Sequence, residues 1–422
     1  MKLTEDDSYR TSTQYKHWSF TPAQLASQRR KTNARASARV RANVARQRAE
    51  RAQLPDNANA NASASETDRT GSGVDTGANT PVSADHEVDC LTQDEEMRLV
   101  DTFCERALEL GKFCKFPTEV TATGIQFLRR FYLFNSPMTY EGQNISRTAM
   151  FIANKTEGNH TSVETYAARF PKVTAEQVLA PEYLLVQALR FNFEIRHPFR
   201  GLKGGHMELL EMARGHFAPL PADERTSAGV QREMQHLPLK PGGPPTQLAV
   251  PALEKRVADA YAFASNVLKT AALLTDAYFL YTPPQIWLSA HLLADEPLTL
   301  FYLSAKLPPT HPAHAKTVTT LAACAALLAA HRSFTSDTTS ADAKAARNKA
   351  DAALIKKLRS CRDPDKLDLV KLNQAQKRDA VEGSGALEGG KAKRRKIQRE
   401  AYEKEADEFW GPELAKNGGR PV

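Results

Sequence analysis

Between Phe116 and Phe193 the chain carries three helical runs, and two of their apolar faces are each interrupted by a charge of opposite sign. Pro117 suits the first turn of a helix, where a missing N–H costs nothing. Behind it Val120, Gly124, Phe127 and Phe131 recur at helical spacing until Asn135-Ser136-Pro137 ends the run. A second run places Thr148, Ile152 and Lys155 on one face. A third begins at Thr174-Ala-Glu-Gln177, which has the form of a capping box, and its face reads Val178, Glu182, Leu185, Leu189. Lys155 and Glu182 are costly in such positions unless paired or hydrogen-bonded. From spacing alone, a structural ion pair inside a helical bundle is the stronger reading, and a functional pair is the other.

The rest of the chain restricts the function classes. At 422 residues it has room for two domains and tails. The net charge of +8 is modest, and much of it sits in one N-terminal run, so composition does not describe a protein that coats nucleic acid. Cys90, Cys104, Cys114, Cys324 and Cys361 form no Cys-x-x-Cys pair, which points to reduced thiols and away from a disulfide framework or zinc. Asn144, Asn154 and Asn159 head glycosylation sequons, but the N-terminal residues have no apolar signal core. The longest apolar run, Leu321 to Ala330, is too short to span a bilayer. No Gly-x-Ser-x-Gly, His-Glu-x-x-His or kinase glycine loop is present, and the histidines are scattered, His311 and His314 in a proline-rich loop included. No catalytic residue, metal ligand or cofactor site is expected, and the chain is read as one that acts by binding.

In chain order, residues 1–14 read as loose. Thr21 and Pro22 open a helix for which Trp18, Phe20 and Leu25 are the docking side chains. Gln28 to Gln53 holds nine Lys or Arg against Glu50, either as a solvated face or as a contact for phosphates or an acidic partner. It has no interleaved aromatic residues for base stacking. Residues 55–90 are a low-complexity linker. Leu91 to Phe113 forms a helix with Met97, Val100, Cys104 and Leu108 as its core stripe. Pro181 should kink or break the helix that holds Glu182. Gly201-x-x-Gly-Gly205 lacks the ending of a phosphate-binding loop and reads as a flexible junction, and residues 215–249 read as a surface loop. Further helices are expected from Pro251 to Leu274, from Pro283 capped by Thr282, from Leu298 to Leu307 and from Thr317 to Phe334, with Tyr278, Tyr281 and Trp287 in the core. Ala343, Ala346, Ala350, Leu354, Leu358 and Cys361 give a C-terminal helix. Lys391, Lys393, Arg394, Arg395 and Lys396 form a basic cluster of nuclear-localisation type.

Three stretches, Tyr15–Leu25, Phe116–Phe193 and Thr275–Ala290, together resemble the cyclin H family in a fungal-like form. The resemblance implies an all-α fold: two tandem five-helix cyclin boxes with flanking N- and C-terminal helices. The expected divisions are an N-terminal basic helical segment at 1–54, the linker, a first box at 91–197, a second at 198–335, a C-terminal helix at 340–362 and a polar tail at 363–422. It implies a regulatory subunit, itself no enzyme, that activates a cyclin-dependent kinase of the CDK-activating and RNA polymerase II tail type. Lys155 in the third helix and Glu182 in the fifth would grip the backbone of the kinase helix that must rotate inward. A RING-finger assembly factor, a general transcription and repair factor and a nuclear location follow from the same resemblance. Met97-Arg98 is similar to the substrate-docking patch of cell-cycle cyclins, but the rest of that motif does not align, so the patch is expected to be absent and Met97 to be core. Two alternatives stay open: another transcriptional cyclin, and a cyclin-box transcription factor that binds nucleic acid directly.

Overall fold

Capping residues set several of the helix boundaries in the computed structural model, which describes residues 9–52, 88–219, 225–331, 341–366 and 368–374. Ser12 accepts the Tyr15 N–H at 3.2 Å and opens α1 (Thr13–Trp18). Thr21 and Gln24 exchange side-chain bonds of 2.8 and 3.3 Å at the start of α2 (Pro22–Ala52). Thr92 and Glu95 do the same for α3 (Gln93–Phe113). Next come α4 (Thr118–Phe134), α5 (Gly142–Thr156), α6 (Val163–Ala167), α7 (Ala175–Leu179) and α8 (Glu182–Ala188). Every residue of α4 from Val120 to Phe134 is buried, so it is the central helix of the first repeat, against which α3 and α5 pack. Thr174 and Gln177 cap α7 reciprocally, and the helix then breaks across Ala180-Pro181, as the missing proline N–H requires.

The second repeat runs through α9 (Phe199–Arg214), α10 (Ser227–Gln235), α11 (Val250–Lys269), α12 (Ala271–Leu274), α13 (Ala277–Leu280), α14 (Pro283–Ala294), α15 (Glu296–Lys306) and α16 (His314–Ala329). α14 is its centre, packed on α9, α11 and α16. α17 (Ala341–Ser360) lies against α3, where Lys357 pairs with Glu95 at 3.0 Å and Asp89 at 3.1 Å. The described residues form helices and connecting loops only, and the fold is all-α: two tandem helical repeats with flanking N- and C-terminal helices. No helix among the described residues is long and apolar enough to cross a membrane.

The repeats are joined by a partly buried charge network centred on buried Arg129. Arg129 on α4 bonds Asp101 at 3.0 Å, the Leu274 carbonyl at 3.1 Å and Asp276 at 2.7 Å. Arg29 on α2 adds two bonds to Asp276, of 2.8 and 2.6 Å. Burial pushes the Asp276 carboxyl up, but the hydrogen bonds from Arg29 and the charge of Arg129 outweigh it and hold the group at about 2.

Several expectations need correction. Residues 9–14 are not loose: Tyr9 and Gln14 are buried, and Gln14 accepts the Arg196 N–H at 2.7 Å. The core stripe of α3 is Glu96, Leu99, Phe103, Cys104 and Ala107; Val100 and Leu108 pack only partly buried against its edge, and Met97 faces a cleft of about 350 Å³ toward Leu274 and Phe279 instead of the core. The junction Gly201–Gly205 is ordered helix. A Cβ at Gly201 would stand 2.6 Å from the Trp287 ring, and one at Gly205 also 2.6 Å, so these glycines let the indole lie against the α9 backbone. The loop 215–249 contains α10, whose Val230 and Met234 are buried. The helix expected to reach Leu274 stops at Lys269, because Thr270 leaves the helical conformation.

Candidate functional site

Lys155 lies in the last turn of α5, and Glu182 opens α8 immediately after the Pro181 break. Thr148 brings these elements together by donating its hydroxyl to the Val178 carbonyl at 2.6 Å, tying α7 to α5. The Lys155 ammonium then donates to Glu182 Oε1. The pair does not sit inside the bundle as its apolar spacing suggested: the two side chains are 42% and 28% exposed. The last turn of α5 projects beyond the core, and the break at Pro181 turns the start of α8 to the surface. Lys155 Nζ also lies 4.8 Å from the centroid of the Phe151 ring, which holds the ammonium against the helix.

An ion pair this exposed contributes little to folding, about 0–1 kcal/mol. It does fix a donor beside an acceptor at the surface. An ammonium has three N–H donors and a carboxylate two oxygens, so one bond between them leaves capacity for a partner's backbone. Around them Leu179 is 38% and Tyr183 67% exposed. Sequence reasoning missed these two; the signal was an apolar residue on the outward side of each half of the broken helix.

The other residues singled out from the sequence lie elsewhere. Trp18 is fully buried edge-on to Phe134, with ring centroids 6.0 Å apart. Arg130 lies over the Trp18 ring, 4.8 Å from its centroid. Phe20 packs on Phe279 of the second repeat, and its N–H donates to the Phe279 carbonyl at 2.8 Å. Leu25 is buried in the same cluster with Leu133. Lys391, Lys393, Arg394, Arg395 and Lys396 lie outside the described residues. The five cysteines are buried free thiols, and no cluster of metal-ligating side chains occurs among the described residues.

The family model for the cyclin C-terminal domain matches residues 197–329. Cyclin CCL1 of Saccharomyces cerevisiae is 30% identical over 307 residues, 73% of this chain and 63% of that protein. Cyclin mcs2 of Schizosaccharomyces pombe is 32% identical over 199 residues, 47% of this chain and 53% of that protein. The chain thus spans less than two thirds of the length of either. Among solved structures, a chain of the CAK complex from Chaetomium thermophilum bound to ATP-gamma-S is matched over its whole length and 92% of this one, with 30% identity and a TM-score of 0.65. A chain of the yeast TFIIK (Kin28/Ccl1/Tfb3) complex is also matched over its whole length and 76% of this one, with 26% identity and a TM-score of 0.50. The paired helical repeats and the C-terminal-domain match define the class as cyclin. Within that class the chain belongs to the cyclin H family.

Proposed function

We propose that the chain is the regulatory subunit of a cyclin-dependent kinase of the CDK-activating and RNA polymerase II tail type, acting in the nucleus in transcription initiation and cell-cycle control. The observation that carries this reading is the Lys155–Glu182 pair, held at the surface between exposed Leu179 and Tyr183. Lys155 would donate to backbone carbonyls of the kinase's mobile helix, and Glu182 would accept from its N–H groups. The apolar side chains would cover that helix and exclude water from the polar contacts. Binding then shifts the kinase toward the conformation in which its own Lys–Glu pair and magnesium site form. The chain supplies no catalytic group. A RING-finger assembly factor and a general transcription and repair factor complete the proposed assembly, in line with the three-component yeast complex to which this chain is similar.

Direct nucleic-acid binding is the weaker reading. Several cations of the basic α2 run are committed to the fold: Arg29 to Asp276, Arg35 to the Phe134 carbonyl at 3.0 Å, and Arg46 to Asp365 at 2.6 Å. The test is co-purification with a kinase catalytic subunit of the CDK-activating type, followed by assay of its activity. Activation supports the reading. Failure to bind any such subunit, with salt-dependent DNA binding in its place, would overturn it.

A further inference from the structure

Behind the α5 end that carries Lys155, a line of polar groups runs from Glu157 at the surface through buried Thr123 and partly buried His197 to buried Tyr278, across both repeats. Thr123 on α4 is fully buried, and its Oγ1 lies 2.7 Å from Glu157 Oε1 and 2.8 Å from His197 Nε2. The other ring nitrogen of His197, Nδ1, lies 2.9 Å from the Tyr278 hydroxyl of α13. His197 stands in the connection between the repeats, with its ring stacked on Phe199 at 5.4 Å and edge-on to Tyr278 at 5.7 Å. Glu157 caps the C-terminus of α5, its N–H donating to the Ala153 carbonyl at 3.0 Å, two residues beyond Lys155.

The proton count sets the direction of this line. A carboxylate only accepts, and a threonine hydroxyl has one proton. Thr123 therefore donates to Glu157 and accepts from His197 Nε2–H. Nδ1 is then unprotonated and accepts the Tyr278 hydroxyl. Each member is satisfied only when His197 is neutral and in the Nε2–H tautomer. Burial, followed by the nearby charge of Arg130, pushes the imidazole down to about 3, which keeps it neutral at physiological pH. A second arrangement of the same groups would leave a buried donor or acceptor without a partner, and that costs about 1–3 kcal/mol.

We infer that Thr123, His197 and Tyr278 are positioning residues for the kinase-gripping pair: they lock Glu157, and with it the last turn of α5, to the second repeat. Lys155 is a long flexible cation on the final turn of its helix, where fraying is greatest. The chain Tyr278–His197–Thr123–Glu157 removes that freedom and couples the aim of Lys155 to the seating of the second repeat. This inference rests on the proposed role of the pair.

The test is a double-mutant cycle on the full chain, using a purified catalytic subunit of a CDK-activating-type kinase as the probe. Thr123→Val keeps the side-chain shape and removes the hydroxyl. It should weaken kinase binding about fivefold when Lys155 is present and hardly at all in the Lys155→Ala background, because both changes act through the same atom. Glu157→Ala, a surface change that spares the core, should reproduce the effect should Thr123→Val fail to fold. Imidazole nitrogen shifts should report the Nε2–H tautomer in the wild type and lose that signature in Thr123→Val. Equal losses in both Lys155 backgrounds, or none in either, would overturn the inference. If Lys155→Ala alone leaves binding intact, the role of the pair fails first and the positioning role fails with it.

Discussion

Arg29 and Asp276, 247 residues apart in sequence, form a two-point pair with bonds of 2.8 and 2.6 Å that fastens the N-terminal helix to the second repeat. Asp276 also takes a bond from Arg129, which is 6% exposed. One carboxylate thus serves two guanidiniums where three parts of the chain meet. Asp276→Asn should cost about 2–3 kcal/mol, because it removes the charge that both guanidiniums share, although Arg129 keeps Asp101 and the Leu274 carbonyl. Arg29→Ala should cost less, since Arg129 keeps both Asp276 and Asp101. Chemical denaturation with an unchanged slope checks both. Because the folded-state carboxyl is held at about 2, below its ordinary 3.8, its stabilisation is present above about pH 4 and lost as pH falls toward 2.

Glu96 gives the opposite slope. It is buried on α3, accepts the Ser136 hydroxyl, and is pushed up to about 7 by burial despite its hydrogen bonds from Ser136 and Asn33. A carboxyl raised in the folded state favours folding fully below its ordinary 4.5 and loses that advantage as pH rises through 7. Glu96→Gln keeps the accepting oxygen and removes the charge. It should match the wild type near pH 4.5 and be more stable at pH 8, by on the order of 2–3 kcal/mol. Thermal unfolding at the two pH values reads the difference, and a variant less stable at pH 8 contradicts it.

Two adjacent glycines of α9 should respond oppositely to one methyl group. A Cβ at Gly204 meets nothing within 4 Å, so Gly204→Ala should gain roughly 0.5–1 kcal/mol of helix propensity. A Cβ at Gly205 would stand 2.6 Å from the Trp287 ring, so Gly205→Ala should lose about 1–3 kcal/mol to overpacking, more than the propensity gain returns. Melting temperatures of the two variants should therefore move in opposite directions.

What was legible in the sequence was mostly local. Thr174 with Gln177, Thr21 before Pro22 and the break at Pro181 depend on a few neighbouring residues, and each stands where its pattern placed it. Burial that depends on distant packing was not legible. Met97 fits an apolar stripe on α3, yet the stripe that meets α4 starts from Leu99, and only the docked helix shows which one is covered. Gly201 and Gly205 read as flexibility because nothing nearby in sequence names Trp287 as their partner. Lys155 and Glu182 stood out as charges on apolar faces, but their exposure follows from where α5 ends and how Pro181 redirects the chain. Leu179 and Tyr183 gave no periodic signal, because their exposure depends on how the chain turns at Pro181 and not on the residues beside them.

The most direct test compares kinase binding and activation by the wild type with Lys155→Ala and Glu182→Ala, after circular dichroism and thermal unfolding have established that each variant folds. Because the pair is partly exposed, each change should cost no more than about 1 kcal/mol of stability. Each should weaken kinase binding or activation about tenfold or more, equivalent to about 1.4 kcal/mol or more at the interface. Folded variants that activate the kinase as well as the wild type would contradict the account and leave the pair a surface contact within the fold.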